Sequence, residues 1–419
     1  MRKKDILELK KRLKKDHCTF TKMCGCYVNG EKNVLLKFRE TFLNLEEDEY
    51  FKYLEIAKKV MSGTIGNNIL KLNFPLNEDF LNEKQSFLMK LKKSGLKDDE
   101  LLDEFYNSVI ESYDYTGNFL IIIFHDAYDI ITKTTDNGKL DESEEVYEYI
   151  LCAICPVTLA SPGLSYFDEE NRIKARVRDW GVGAPANGFI FPAFVDRSTD
   201  VNSVMYYTKN PKDTHPEMME YVLGCNEKQT AAIQKESFQL IVKDHFMENE
   251  EKAEEIFMDI QENLNTMIDE HNSIYDDTDA EPITLTKEVV QNLLIESGIP
   301  EEITTKIEQS YEESFGDDIP LAENLLDTRA LKNNEQRQKE VTLKKQVEKL
   351  QNKLEEVTQQ VAVDSDEEDI TSLYDVILQV KPEKIPQIKS QIIDGQKCIV
   401  IPINEDEQTT VNGLDDLIK

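Results

Sequence analysis

Apolar residues follow two rhythms along this chain, and the change between them divides it. Through the first half, short dense runs alternate with polar turns: 23–28, 34–38, 69–74, 119–124, 149–157, 189–195 and 201–208. Runs this short, rich in β-branched and aromatic residues and bounded by Gly, Pro and Asn, predict strands. Asn29-Gly30 supplies a tight turn between the first two, because both residues tolerate positive φ. Asp196-Arg-Ser-Thr-Asp200 is the five-residue polar tip of a second hairpin, with Pro192 marking an edge or a bulge. Between these runs the spacing turns helical. Residues 3–16 align Ile6, Leu9 and Leu13, and residues 47–61 align Tyr50, Leu54, Ala57 and Met61. Residues 84–93 form another helix, and one starting at Asp98 aligns Leu102, Phe105, Val109 and Tyr113. The polar residues of 129–145 predict a surface loop.

After Gly224-Cys225 the helical rhythm takes over. Ile256, Ile260, Leu264 and Met267 mark one amphipathic helix, Val289 and Leu293 a second, and Ile303, Ile307 and Tyr311 a third that opens on Pro300. Further on, Leu343, Val347, Leu350, Leu354, Val357 and Val361 alternate spacings of four and three, an a/d seam of about three heptads. The acidic run 364–369 reads as a solvated linker. A last β-like unit comprises 373–380 and 392–403, turned at Asp394-Gly395. The fold class is therefore α+β: a mixed or antiparallel sheet with packed helices, then a helical region with a short coiled-coil-like helix and a C-terminal β-hairpin. The corresponding division is an α+β core domain at 1–225, a helical region at 226–330, the heptad helix and acidic linker at 331–369, and a hairpin unit at 370–419.

Charge narrows the partners. The 419 residues carry a formal charge of −33, yet residues 1–39 hold 12 Lys/Arg against 4 Asp/Glu. So acidic a chain argues against a broad nucleic-acid or anionic-membrane surface, and its basic N-terminus is expected to dock on its own acidic body. An odd count of seven cysteines, mostly inside apolar runs, fits reduced thiols in the cytoplasm. The N-terminus lacks the apolar centre of a secretion signal. The uncharged run 150–167 is broken by Pro156, Pro162 and Gly163, which excludes a spanning helix there.

Three clusters are candidates for chemistry. Cys152 and Cys155, with Cys24 and Cys26, have the short paired spacings of zinc ligands. Residues three apart on a strand point to opposite faces, however, which favours buried free thiols. His125-Asp126, at the end of an apolar strand, offers a general base with an orienting carboxylate, although no nucleophile motif accompanies it. Arg176, Arg178, Asp179 and Trp180, with Asp196, Arg197 and Asp200, combine anion-gripping forks, a stacking ring and two carboxylates that suit a divalent ion. The competing reading is an Arg–Asp network that pins the hairpin tip to the body. No cofactor motif is present.

Several strings are distinctive as a set: Cys24-Gly-Cys-Tyr-Val28, Gly117-Asn-Phe-Leu with His125-Asp126, Tyr149-Ile-Leu-Cys-Ala-Ile-Cys-Pro156, Pro162-Gly-Leu-Ser-Tyr166, Arg178-Asp-Trp180, Phe191-Pro-Ala-Phe-Val-Asp-Arg-Ser-Thr-Asp200 and Tyr206-Tyr-Thr-Lys209. Together they resemble a family of uncharacterised bacterial proteins defined only as domain of unknown function 4317. The resemblance covers 1–330 and resumes at 393–402, with the heptad stretch as an insertion. It implies a bacterial, intracellular protein, and no activity or catalytic residue. The expectation is a non-enzymatic cytoplasmic interaction protein, pairing with itself or a protein partner through the heptad seam. A metal-assisted hydrolase or phosphate-ester enzyme centred on Asp196–Asp200 is the alternative, and nucleic-acid association through the basic N-terminus a weaker one.

Overall fold

Strand alternation in the first half builds one antiparallel sheet. The computed structural model describes residues 2–14, 17–75, 82–133, 139–246, 250–274, 282–316, 318–363, 380, 382–393 and 396–402; side chains at 128, 131–133, 139–145 and 354–363 are outside the description. The strands are β1 (Lys22–Val28), β2 (Val34–Thr41), β3 (Ile69–Asn73), β4 (Asn118–Lys133), β5 (Lys139–Leu159), β6 (Leu164–Phe167), β7 (Arg172–Ala175), β8 (Trp180–Val182), β9 (Asn187–Phe191), β10 (Ala193–Val195), β11 (Ser198–Asp200) and β12 (Ser203–Thr208). The main sheet has the order β2-β1-β4-β5-β9-β12-β3, and β8 pairs with the far end of β5.

Helices cover both faces. One face, with Cys24, Ile121, Ile123, Cys152 and Phe189, packs under α3 (Glu83–Lys93), α4 (Asp99–Ser112) and a π-helical turn at Met218–Val222. The other, with Met23, Ile122, Phe124, Leu151 and Ile190, packs under α1 (Lys3–Arg12) and α2 (Glu47–Lys59). Successive strand residues point to opposite faces, so a strand covered on both sides reads as an unbroken apolar run. That is the origin of Phe119–Phe124. Ile121, Ile122 and Ile123 are fully buried, each worth about 1.5–3 kcal/mol relative to exposure. At Gly188 a Cβ would lie 2.5 Å from the Cys152 carbonyl oxygen and 3.0 Å from Val60, so the missing side chain lets the end of α2 settle on β9.

Two sequence expectations change in detail. Residues 129–133 and 139–145, expected within a surface loop, are paired strand: β4 runs to Lys133 and β5 starts at Lys139, with Asp129 opposite Val146 and Ile130 opposite Glu145, while 134–138 lie outside the described residues. A hydrogen-bonded ladder needs only backbone groups, and Ile130 and Tyr147 still bury their side chains. The hairpin tip is tighter than its five polar residues suggest. Past the cis Phe191–Pro192 bond, β10 and β11 form their own two-stranded sheet, turned by Asp196 and Arg197 at φ 47° and 61°. Two successive positive φ values suit a two-residue hairpin turn. At the sheet's open edge, β2 exposes Val34, Leu35 and Leu36, while its Lys37 and Arg39 reach Asp103 and Asp99 of α4.

A third core joins α5 (Ala231–Asp244), α6 (Glu250–Ile274), α7 (Lys287–Glu296), α8 (Glu301–Phe315), α9 (Ala322–Leu325) and the start of α10 (Thr328–Val363). Gln261 stitches α9 to α10, donating to the Leu325 carbonyl at 3.2 Å and accepting from Asp327 N–H at 2.6 Å. Residues 1–338 form one compact unit and 339–419 a second. In the second, Leu343, Val347 and Leu350 of α10 are 59%, 52% and 66% exposed; the side chains of Leu354, Val357 and Val361 lie outside the described residues. β13 (Lys389–Ile393) pairs with β14 (Gln396–Val400), Ile393 opposite Gln396. The acidic linker, residues 373–379 and Asp394-Gly395 lie outside the described residues. Among those described, no helix is long and apolar enough to cross a membrane.

Candidate functional site

His125 and Asp126 do not end a strand as expected, since β4 continues to Lys133, and the polar groups midway along β4 and β5 divide between the two faces of the sheet. His125 and Asp126 are successive strand residues, so their side chains leave in opposite directions. Nδ1 of His125 lies 3.1 Å from Thr21 Oγ1, and Nε2 lies 3.1 Å from Glu148 Oε1. Lys92 of α3 brings Nζ to 3.2 Å from the other Glu148 oxygen. Burial works against the charge of Glu148, yet the bonds from His125 and Lys92 prevail and hold its carboxyl below the usual range.

On the opposite face Asp126 accepts three bonds: from Thr19 Oγ1 at 2.6 Å, from Ala127 N–H at 3.0 Å and from the Tyr149 hydroxyl at 2.8 Å. Arg12 of α1 donates to Thr19 at 2.9 Å. Tyr149 stacks on Tyr147, whose hydroxyl donates to the Pro192 carbonyl at 2.7 Å. Burial, and then the negative charge of Asp126, pushes the Tyr149 hydroxyl far above its ordinary pKa, so it remains a donor. His125 therefore takes its carboxylate from Glu148, not from Asp126. Chemically, the first set pairs a buried ammonium with a carboxylate and the second satisfies a buried carboxylate with hydrogen-bond donors, and both tie neighbouring strands together. Lys92, Glu148, Thr19 and Tyr149 were absent from the sequence candidates. The signal for two of them was Tyr-Glu-Tyr at 147–149, a strand alternation hidden at the margin of an apparent loop.

The Arg/Asp candidates also divide. Asp196 lies 3.6 Å from Arg2 and 3.7 Å from Lys4, and Arg197 lies 3.1 Å from Glu8. The basic helix α1 thus docks on the β10–β11 tip. Asp200 instead accepts from Lys71 at 2.8 Å, Ser203 at 2.6 Å and Asn202 N–H at 3.1 Å. Burial opposes its charge, but these bonds keep its pKa low. Arg178 donates to the Ala160 carbonyl at 2.8 Å, and the Ala160 N–H donates to the Asp179 carbonyl at 2.9 Å. They close the base of the β6–β7 hairpin, with Trp180 54% exposed beside them. Asp196 and Asp200 have separate partners. Among the described residues no cluster of three or more His, Cys, Asp or Glu is placed to hold a metal ion.

A groove of about 760 Å³ runs between α2 and the segment that follows β8. Tyr53, Ile56, Leu120 and Val182 give it an apolar lining, and Asp48, Glu49 and Glu55 edge it together with Lys52 and Lys59. No sequence candidate lies in it. The family model described as Domain of unknown function (DUF4317) matches residues 1–414. The chain belongs to this family. No curated protein matches the chain. The DUF4317 match spans a range that includes the heptad helix, the stretch that read as an insertion.

The cysteines of this DUF4317 chain follow the sheet faces. Cys24, Cys26 and Cys152 enter the core beneath α3 and α4, whereas Cys155 enters the opposite one. Burial pushes Cys26 up to about 11 and Cys155 up to about 12. A thiol held protonated is a poor nucleophile. In the native protein Cys398, the one free cysteine that is not buried, is expected to react rapidly with an aromatic disulfide reagent. The other six should follow only on unfolding, as a stopped-flow count of released chromophore before and after denaturant would show.

Proposed function

We propose that this DUF4317 protein is a non-enzymatic cytoplasmic interaction protein that pairs with a second copy of itself through the a/d seam of α10. The observation that carries the reading is the exposure of Leu343, Val347 and Leu350 along one helix. A helix gains little by presenting an apolar stripe to water, and a heptad seam buries that stripe against another helix. In sequence, Leu354, Val357 and Val361 continue it. Leu343 and Leu350 occupy d positions and Val347 an a position, the arrangement that favours two parallel strands. The flanking positions hold Lys344, Gln346, Gln351 and Lys353, so no acidic pair opposes itself across the seam. Buried free thiols support the cytoplasmic placement. Within this reading 1–225 is the body, 226–330 the helical region, 331–369 the pairing arm and its linker, and 370–419 the hairpin unit.

An enzyme centred on Asp196–Asp200 needs those side chains in one cleft. Their engagement with α1 and with Lys71 favours the interaction reading. The same contacts occupy Arg2 and Lys4, and Arg12 is engaged by Thr19, which weighs against nucleic acid. The test is sedimentation of the full chain over a concentration range. Val347→Asp with Leu350→Asp should weaken one association step roughly 30-fold or more, the loss expected from charging a packed anchor. Association unchanged by these two substitutions would end the proposal for α10.

A further inference from the structure

Lys10, Lys58 and Lys59 have no ion-pair partner among the described residues, although the chain carries a net charge of −33. With Glu55 and Ser62 they line one hollow of about 330 Å³. Each lysine stands in the last turn of its helix, where the dipole favours a cation. The dipole does not explain why the last turns of two different helices bring three ammoniums to one hollow. Lys10 and Lys58 are half-buried there. The one carboxylate among them, Glu55, is already paired with Lys52 at 3.2 Å. Positive charge is therefore in excess, and like charges gathered in this way repel unless an anion joins them.

This hollow adjoins the groove beside α2, since Glu55 and Lys59 line both. From Asp48 to Lys59 the helix rises about 16 Å. Charge is graded along that length. Asp48 and Glu49 stand at one end, the Lys52–Glu55 pair midway and the three lysines at the other, with Tyr53, Ile56 and Leu120 supplying apolar surface between. The opposite wall is fixed by the sheet: Gly183 N–H donates to the Pro156 carbonyl at 2.8 Å, and Ala186 N–H to the Ile154 carbonyl at 2.9 Å. The groove is thus open without rearrangement. Its volume of about 760 Å³ falls in the range of about 300–1,000 Å³ typical of clefts that bury a small molecule.

From these observations we infer that the groove and its basic end bind a single-chain amphiphile with a phosphate monoester head. The alkyl chain lies along Tyr53, Ile56 and Leu120, out of water. A phosphate monoester carries a charge of about −1.5 to −2 at neutral pH, which answers the excess at Lys10, Lys58 and Lys59. Lysine binds phosphate as a point charge, so three ammoniums suit it without a fixed fork. Asp48 and Glu49 repel the head from the far end and give the ligand one direction. The site lies within residues 1–338 and does not depend on α10.

The test is isothermal titration calorimetry of the full chain with dodecyl phosphate, kept below its micellar concentration. One molecule per chain is expected to bind. Decyl phosphate should bind roughly 15-fold more weakly, because each buried CH₂ is worth about fourfold in affinity. Lys10→Gln with Lys58→Gln should weaken dodecyl phosphate roughly 10- to 100-fold, the loss expected when charge-assisted bonds are removed. Dodecyltrimethylammonium, with the same tail and a cationic head, should bind more weakly to the parent and gain from these two substitutions. Ala184→Trp, at an exposed position of the wall, should obstruct the tail, with far-ultraviolet circular dichroism confirming the fold of each variant. Absence of saturable binding, or binding indifferent to the lysine changes, overturns the inference. So does inorganic phosphate bound as tightly as dodecyl phosphate, since the groove would then contribute nothing. Binding to phosphatidylserine vesicles without binding of monomeric dodecyl phosphate overturns it too, because the lysines would then face a lipid surface.

Discussion

Asp126→Ala is expected to destabilise the protein by about 1–3 kcal/mol. The buried Tyr149 hydroxyl loses its acceptor, as does the hydroxyl of Thr19, an exposed residue that water can still reach, and a buried group left unsatisfied costs about 1–3 kcal/mol. Tyr149→Phe removes one donor and leaves Asp126 with two others, so its cost should stay near about 1 kcal/mol. The combination is the sharper measurement. If the network supplies the effect, Asp126→Ala with Tyr149→Phe should cost less than the two single changes added together, because the second no longer orphans anything. Urea denaturation of the four proteins gives the cycle directly. Strict additivity would show that Asp126 matters for reasons other than its hydroxyl donors.

The second large effect concerns Glu148. Glu148→Gln leaves the Lys92 ammonium, 9% exposed, without its carboxylate. Breaking a buried pair costs about 3–5 kcal/mol, and the partial exposure of Glu148 places this one at the lower end. Lys92→Met is expected to cost less, since an apolar chain replaces the ammonium and Glu148 retains His125. Acidity separates this effect from simple loss of packing. The carboxyl of Glu148 is held below its unfolded value, so its contribution is complete above the unfolded pKa of about 4.3 and is lost as pH falls through the folded one. The gap between wild type and Glu148→Gln should therefore be widest near neutrality and narrow below about pH 4. A gap constant from pH 7 to pH 3 would exclude the ion pair as its source.

Much of this fold was legible because burial leaves a mark on sequence. Phe119–Phe124 is continuous because helices cover both faces of β4, and α2 and α4 announce themselves through Leu54 and Ala57, Phe105 and Val109. The sites were less legible because side-chain partners are long-range. His125 and Asp126 were visible as a pair, but the alternation of the strand separates them. Their real partners come from α3, from β5 and from Thr19 and Thr21, both just before β1. Similarly, Asp196 and Asp200 suit a shared cation by spacing alone. The positive-φ turn at Asp196-Arg197 instead hands one carboxylate to α1 and leaves the other to Lys71. Residues 129–133 and 139–145 looked like parts of a loop because their polarity is a property of side chains, whereas the ladder that pairs them is a property of the backbone.

The open edge at β2 has a consequence for crowded solutions. An unpaired strand displaying Val34, Leu35 and Leu36 is a template onto which another molecule's strand can add, the first step toward fibrils. Lys37 and Arg39 interrupt that template with two cations, anchored by α4 in an orientation that keeps them at the rim. Two such edges brought together would confront like charges across the seam, so the protein resists zipping into endless ribbons where its sheet is barest.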